Sequence, residues 1–327
     1  MAYNRDNIQK VKELLGARRS EAVATSMRRR AEVENAIPGY RGLEEALSKT
    51  GARIMGAAFS HSLDEATLAA IREDNVRLRE KKAQLLVQYG FPADYTDIHY
   101  TCEACSDTGY VGIDMCSCMR RELIRAGIES AGLTALIQTQ SFDTFRLDYY
   151  QDKDRARMES NVRLLRQFAT SFSADTSDSW LFFGATGLGK THLSTAVAGI
   201  VISRGFDVIF DSVQEILAVY EEERFGRGEG IQHQKGRTVE ALMDCDLLIM
   251  DDLGAEMTNQ FTVSSLYNMI NTRINRGKST IINTNLNQGD IRTRYTDRIA
   301  SRLFGEYRPL LFHGMDVRAQ KLTEGRK

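Results

Sequence analysis

No apolar run in this chain approaches the roughly 20 residues of a membrane span, and the start, Met1-Ala2-Tyr3-Asn4-Arg5, is too polar for a signal peptide. A membrane role is therefore not expected, and the expected compartment is the cytosol. There is also no charge of one sign to speak of. The formal net charge is -1, so any contact with nucleic acid must come from a local patch. Cysteine is sparse, with five in 327 residues. In the cytosol these are not expected to pair as disulfides. Length alone suggests two domains, each able to bury a core.

What is present begins with Gly184-Ala185-Thr186-Gly187-Leu188-Gly189-Lys190-Thr191, which fits G-x-x-x-x-G-K-[ST]. An apolar run, Trp180 to Phe183, precedes it as a predicted strand. The stretch His192 to Val201 follows as a predicted helix. Glycines let successive backbone N–H groups turn toward one anion, and the helix start adds partial positive charge. Lys190 would reach the β- and γ-phosphates of a nucleoside triphosphate, and the Thr191 hydroxyl would ligate Mg²⁺. Downstream, strands are predicted at Phe206–Asp211 and Thr280–Thr284, and helices at Val213–Glu222, Val239–Met243 and Phe261–Asn275. This alternation predicts a doubly wound parallel sheet.

About 60 residues after the phosphate loop comes Leu247-Leu248-Ile249-Met250-Asp251-Asp252, a buried strand with two acids at its carboxyl end. Asp251 suits Mg²⁺, and Asp252 is placed to position or deprotonate an attacking water. Asn285 ends the next strand, either sensing the γ-phosphate or simply making a turn. Arg298 and Arg302 lie four apart on one face of a predicted helix. They read either as surface arginines or as residues completing a neighbouring subunit's active site.

Four of the five cysteines cluster as Cys102-x-x-Cys105, ten residues, Cys116-x-Cys118. Two short pairs can offer four thiolates to one tetrahedral ion, with zinc preferred and an iron–sulfur cluster the weaker alternative. Cys245 reads as an inert core thiol. The first 60 residues read as helical, broken at Pro38-Gly39 and Gly51, and Leu63–Tyr89 as one long helix. Arg28-Arg29-Arg30 is either a nucleic-acid contact or a solvated helix face. A further helix is expected over Met119–Ala131. Phe142, Phe145 and Tyr149 lie near the nucleotide base or pack in the core.

These features resemble the AAA+ ATPases of the DnaC/DnaI helicase-loader and IstB group. The resemblance rests on Gly-Lys-Thr-His-Leu at 189–193, Asp-Asp-Leu-Gly at 251–254, Thr-Asn at 284–285, the Arg298/Arg302 pair and Gly-Met-Asp-Val-Arg ending at Arg318. It covers about residues 140–320 and, through the cysteine knuckle, reaches back to about residue 90. The fold implied is an α/β AAA+ P-loop domain, its parallel sheet flanked by helices and without a full C-terminal lid. A mainly helical N-terminal region carries the four-cysteine zinc knuckle. The expected division is 1–95 for partner binding, 96–135 for the knuckle and its helix, and 136–327 for the ATPase. The resemblance implies ATP, Mg²⁺ and Zn²⁺ as cofactors. It implies self-association through the ATP site, single-stranded DNA and a replicative DnaB-type helicase as partners. Arg302 would be an arginine finger in trans, Arg298 its neighbour, and Arg318 a sensor within its own subunit. Two departures matter. Asp252 stands where many AAA+ ATPases carry Glu, leaving Glu256 as an alternative base. Residues 220–236, with Arg224, Phe225, Arg227 and Lys235, occupy the place of a DNA-contacting insertion or form a surface loop. The alternatives are an IstB-like helper of a transposase, or an adaptor that binds ATP without hydrolysing it.

Overall fold

The computed structural model describes residues 3–60, 65–173, 175, 178–226 and 238–324. The chain separates into two compact units, one formed by 12–119 and the other by 1–11 with 120–327.

The larger unit is built on a sheet of five parallel strands. For numbering in chain order, β1 (Tyr110–Val111) and β2 (Asp114–Met115) are a short hairpin in the other unit. The sheet strands are β3 (Trp180–Phe183), β4 (Val208–Ser212), β5 (Leu247–Leu253), β6 (Ser279–Thr284) and β7 (Arg308–Leu311). Their spatial order is β4-β5-β6-β3-β7, with β3 between β6 and β7. The apolar run Leu247 to Met250 is fully buried because helices cover both faces of the sheet. Each such side chain contributes roughly 1.5–3 kcal/mol over its exposed state.

Two apolar clusters lie on either side of the sheet. One gathers Leu193, Val197, Val201, Phe182 and Ile249 with Phe168 and Phe172. The other gathers Leu248, Met250 and Ile282 with Leu266, Met269 and Ile299. The helices behind them include α5 (Asp152–Ser171), α6 (Lys190–Ser203), α7 (Val213–Phe225), α8 (Val239–Asp244) and α9 (Gln260–Asn275). Side-chain caps define several starts: Ser212 accepts from Glu215 N and Asn259 from Thr262 N. After β6 come α10 (Gln288–Tyr295), opened by an Asn287/Asp290 capping box, then α11 (Asp297–Glu306) and, beyond β7, α12 (Val317–Glu324). This is the parallel, helix-flanked AAA+ arrangement expected from the sequence.

The smaller unit is helical. It contains most of α1 (Arg5–Ala36), then α2 (Tyr40–Ser60) and α3 (Glu65–Gln88), and it ends as α4 (Ser117–Ser130) begins. The expected break at Pro38-Gly39 is present, where Gly39 has φ 82°. The break expected at Gly51 is not, because α2 runs through it. A single glycine costs a helix only about 1 kcal/mol, which a long helix absorbs. Val33, Ile37, Tyr40 and Leu86 form a small core here. The basic run is engaged within this unit. Arg28 pairs with Glu21, the Arg29 guanidinium lies over the Tyr95 ring, and Arg30 donates to Thr96 O. Among the described residues no helix is long and apolar enough to cross a membrane.

Candidate functional site

The phosphate-binding loop joins β3 to α6 at the carboxyl edge of the sheet, where ligands bind in open α/β folds. Its glycines are required by the geometry. Gly187 has φ 75°, and a Cβ there would fall 2.1 Å from the Asp316 carboxylate. Gly189 caps α6 in the left-handed region with φ 84°. Lys190 is buried, and its ammonium donates to the carbonyls of Gly184 and Ala185 at 2.7 Å each. Burial, reinforced by the positive charge of Arg318, holds its pKa below the ordinary lysine value, against the opposing pull of Asp252 and Asp251.

The end of β5 faces this loop. The Thr191 hydroxyl donates to the Asp251 carboxylate at 3.1 and 3.2 Å. The Asn283 amide donates to Asp251 at 2.7 Å and to Ser194 Oγ at 2.9 Å. Burial raises the Asp251 carboxyl above its ordinary range, the two side-chain hydrogen bonds opposing it. Thr191 and Asp251 thus present hard oxygen donors side by side beside the phosphate loop, a set that fits Mg²⁺. Asp252 is exposed to the cleft and sits at φ 60°, an unusual conformation for a residue other than glycine.

The cleft has a volume of about 360 Å³. One wall is Thr186 to His192 with Asp251 and Asp252. Another is the segment of Gln140, Phe145, Tyr149 and Tyr150, and a third is α12 with Val317, Arg318 and Lys321. Tyr150 donates its hydroxyl to Leu188 O at 3.0 Å, and Val317 N donates to Gly187 O at 3.0 Å. Phe145 and Tyr149 therefore line the cleft, whereas Phe142 is buried in the core.

Of the residues singled out in the sequence, the phosphate loop, Asp251, Asp252 and Arg318 converge on this cleft. Asn285, Arg298 and Arg302 do not line it. Asn285 is exposed, with its side-chain oxygen beside Gly254. Arg298 is exposed on α11, and Arg302 pairs with Glu306 at 3.4 Å on the same helix. Glu256 is 4 % exposed and already committed, accepting from Gly254 N at 2.9 Å and from the Tyr295 hydroxyl. Arg227 and Lys235 lie outside the described residues, as does the Phe225 side chain, while the Arg224 guanidinium rests over the Phe261 ring. Asn283, Tyr150 and Asp316 are site residues that sequence reasoning missed. The signal for Asn283 was an amide inside an otherwise apolar buried strand, which demands a partner.

In the smaller unit the four clustered cysteines converge, with all their sulfurs within 4.8 Å of one another. Cys102 Sγ lies 3.8 Å from Cys116 Sγ, and Cys105 Sγ lies 3.4 Å from Cys118 Sγ. Bonds of about 2.3 Å to one tetrahedral ion put sulfurs about 3.8 Å apart, so the cluster fits a single metal. Asp107 orients the knuckle, accepting from the backbone N–H of Thr101 and Cys102 at 2.8 and 3.0 Å. The Cys118 N–H lowers the Cys116 thiol, while burial and the neighbouring thiols raise that of Cys118. Cys245 is buried in the larger unit, and burial pushes its thiol up, as an inert core position requires.

Comparison with known families matches residues 131–304 to the IstB-like ATP binding proteins. The chain belongs to this family. The replicative helicase loader DnaC of Escherichia coli K12 is 23% identical to this IstB-like protein over 176 residues, 53% of this chain and 66% of the relative. The match thus spans just under two thirds of that relative's length. An insertion-sequence ATP-binding protein of Mycobacterium tuberculosis, Rv3427c, is 27% identical over 158 residues, 48% of this chain and 60% of the relative. The crystal structure of the DnaC helicase loader aligns with a TM-score of 0.45 at 21% identity, covering 55% of the IstB-like chain and 100% of its own.

Proposed function

We propose that this protein hydrolyses ATP to control its grip on a replicative, DnaB-type helicase, which it delivers onto single-stranded DNA in the cytoplasm. The observation that carries this reading is the helical, four-cysteine unit that precedes the nucleotide-binding unit along the chain. A motor acting as a loader needs a separate surface for its client, and this unit supplies one. The ion the knuckle would hold is zinc. With four sulfurs it has no open position and serves structure, not catalysis.

In the cleft, Lys190 would exchange the loop carbonyls for β- and γ-phosphate oxygens, and the N–H groups of the loop would surround the same phosphates. Thr191 and Asp251 would hold Mg²⁺, which when bound neutralises phosphate charge. Asp252, projecting into the cleft, would orient and deprotonate the attacking water. Arg318 would contact phosphate from within the same subunit, and Asn285 would orient the water as the site closes. Arg302, with Arg298 beside it, does not line its own cleft and would act on that of a neighbouring copy. Such an arginine is worth about 10³–10⁵ in rate. Nucleotide state and self-association are thereby coupled.

A second reading is the transposase helper, favoured by the 27% identity to the insertion-sequence protein. Recovery of partners on the purified full chain, with and without ATP, separates the two. An ATP-sensitive complex with the replicative helicase supports the loader. A transposase in its place, with no helicase, overturns it.

A further inference from the structure

On the α6 side of the sheet, the apolar core gives way to polar groups near the cleft. Ile249 on β5 and Ile281 on β6 pack in the cluster that holds Leu193 and Val197 of α6. Side chains alternate along a strand, so the next residues on that face are Asp251 and Asn283. Asn283 is 1 % exposed, in a strand buried along its whole length. Its amide nitrogen donates to Asp251 Oδ1 at 2.7 Å and to Ser194 Oγ at 2.9 Å. Ser194 in turn donates its hydroxyl to Thr191 O at 3.1 Å, within the first turns of α6. The amide therefore ties β5 to the helix start that carries Thr191. Its oxygen is buried and accepts nothing, which costs stability, so the residue serves this position through its two donors.

Asn283 also lies opposite an irregularity in the sheet. Met250 pairs with Ile282 and Leu253 with Thr284, so Asp251 and Asp252 on β5 stand against Asn283 alone on β6. An extra residue of this kind interrupts the ladder, bends its strand and re-aims side chains, and such bulges gather beside active sites. Here the bulge contains Asp252 at φ 60°. The first acid meets the Thr191 hydroxyl and both acids line the cleft. On the β6 side the ladder does not reach these two residues, and the Asn283 amide holds the first of them through its side chain.

We infer that Asn283 is a positioning residue for magnesium binding: by holding the Asp251 carboxylate beside Thr191, it sets the affinity of the cleft for the Mg²⁺ that accompanies a nucleotide. The inference rests on the reading of the cleft as a Mg²⁺–ATP site and adds the residue that fixes one of the two groups assigned to the ion. Asn283 does not line the cleft and acts only through Asp251. Groups that orient a metal ligand from behind are worth about 10–100-fold in metal affinity.

Calorimetric titration of the full chain with ATP, in excess Mg²⁺ and in EDTA, tests this. The wild type is expected to bind ATP more tightly with Mg²⁺ than without. Asn283→Leu, close in size and without a donor, is expected to lower that ratio about ten-fold. It should raise by a similar factor the Mg²⁺ concentration that gives half the gain. Asn283→Ala is the second variant and is expected to act in the same direction. A merely structural role would instead weaken ATP equally in both conditions. An unchanged ratio in a folded variant, or an equal loss with and without Mg²⁺, overturns the role of Asn283 and leaves the Mg²⁺–ATP reading standing. Failure of both variants to fold in circular dichroism melts does the same, since it makes the residue structural. A wild type that binds no ATP, or binds it equally with and without Mg²⁺, overturns that reading and the inference with it.

Discussion

Asp251 shows most clearly how single residues are set for function at a cost to stability. Burial raises its carboxyl above the ordinary value, so its contribution to stability is greatest below the unfolded pKa, near 3.9, and is lost as pH rises through the folded value. At neutral pH the ionised form is therefore a burden on the nucleotide-free protein. Asp251→Asn keeps an acceptor for Thr191 and Asn283 and is expected to raise Tm at pH 7 without nucleotide, while abolishing ATP turnover. A lower Tm in thermal melts would contradict this account of the site. Lys190→Ala should remove tight ATP binding without unfolding the chain, as measured by calorimetry and melts. The phosphate loop, Asp251 and Asp252 were legible in the sequence because their chemistry dictates local spacing. Asn283 and Asp316 were not, because each meets its site through tertiary packing. Arg273 illustrates the same limit. It is fully buried and donates to the carbonyls of Leu242, Cys245 and Ser279, closing the end of α8, yet its sequence context on α9 is that of a surface arginine.

Among the elements, the turn after β5 and the end of α10 are joined by one buried cluster. Glu256 accepts from Gly254 N and the Tyr295 hydroxyl, and Arg294 donates to Glu256 O. Thr296, which follows directly, sits at φ 88° between α10 and the arginine-bearing α11. Tyr295→Phe leaves the buried carboxylate short of a donor and should cost about 1–3 kcal/mol in denaturant unfolding. A cost indistinguishable from zero would mean the cluster is solvated. The knuckle has a similar test. Removing the metal with a chelator should lose helical signal from the smaller unit and release one equivalent of zinc, because an ion held by four converging thiolates contributes folding free energy to a small unit. Retention of the full circular dichroism signal in the metal-free protein would count against a structural ion. The sheet strands β3 to β6 were legible as short apolar runs, and most helices as longer patterned stretches. The edge strand β7, only four residues long and interrupted by Pro309, carried too little pattern to be seen.

At the level of the whole molecule, the sequence resemblance to helicase loaders reached the ATPase unit and the cysteine knuckle. It left the first 60 residues unplaced, since helices α1 and α2 carry no chemical motif. Neither arginine of the α11 pair lines the cleft of its own chain, and the proposed function assigns both to the cleft of a neighbouring copy. We propose that each nucleotide cleft is completed by a second copy of this chain. Subunit mixing tests this. Lys190→Ala, lacking the ammonium proposed to hold the phosphates, and Arg302→Ala, lacking the guanidinium proposed to serve a neighbour, are each expected to be inactive in steady-state ATP turnover. Mixed together, they should recover a fraction of wild-type turnover, since an intact cleft on one copy meets an intact arginine on another. Full turnover by Arg302→Ala alone, or no recovery in a mixture shown to associate, would contradict the shared site.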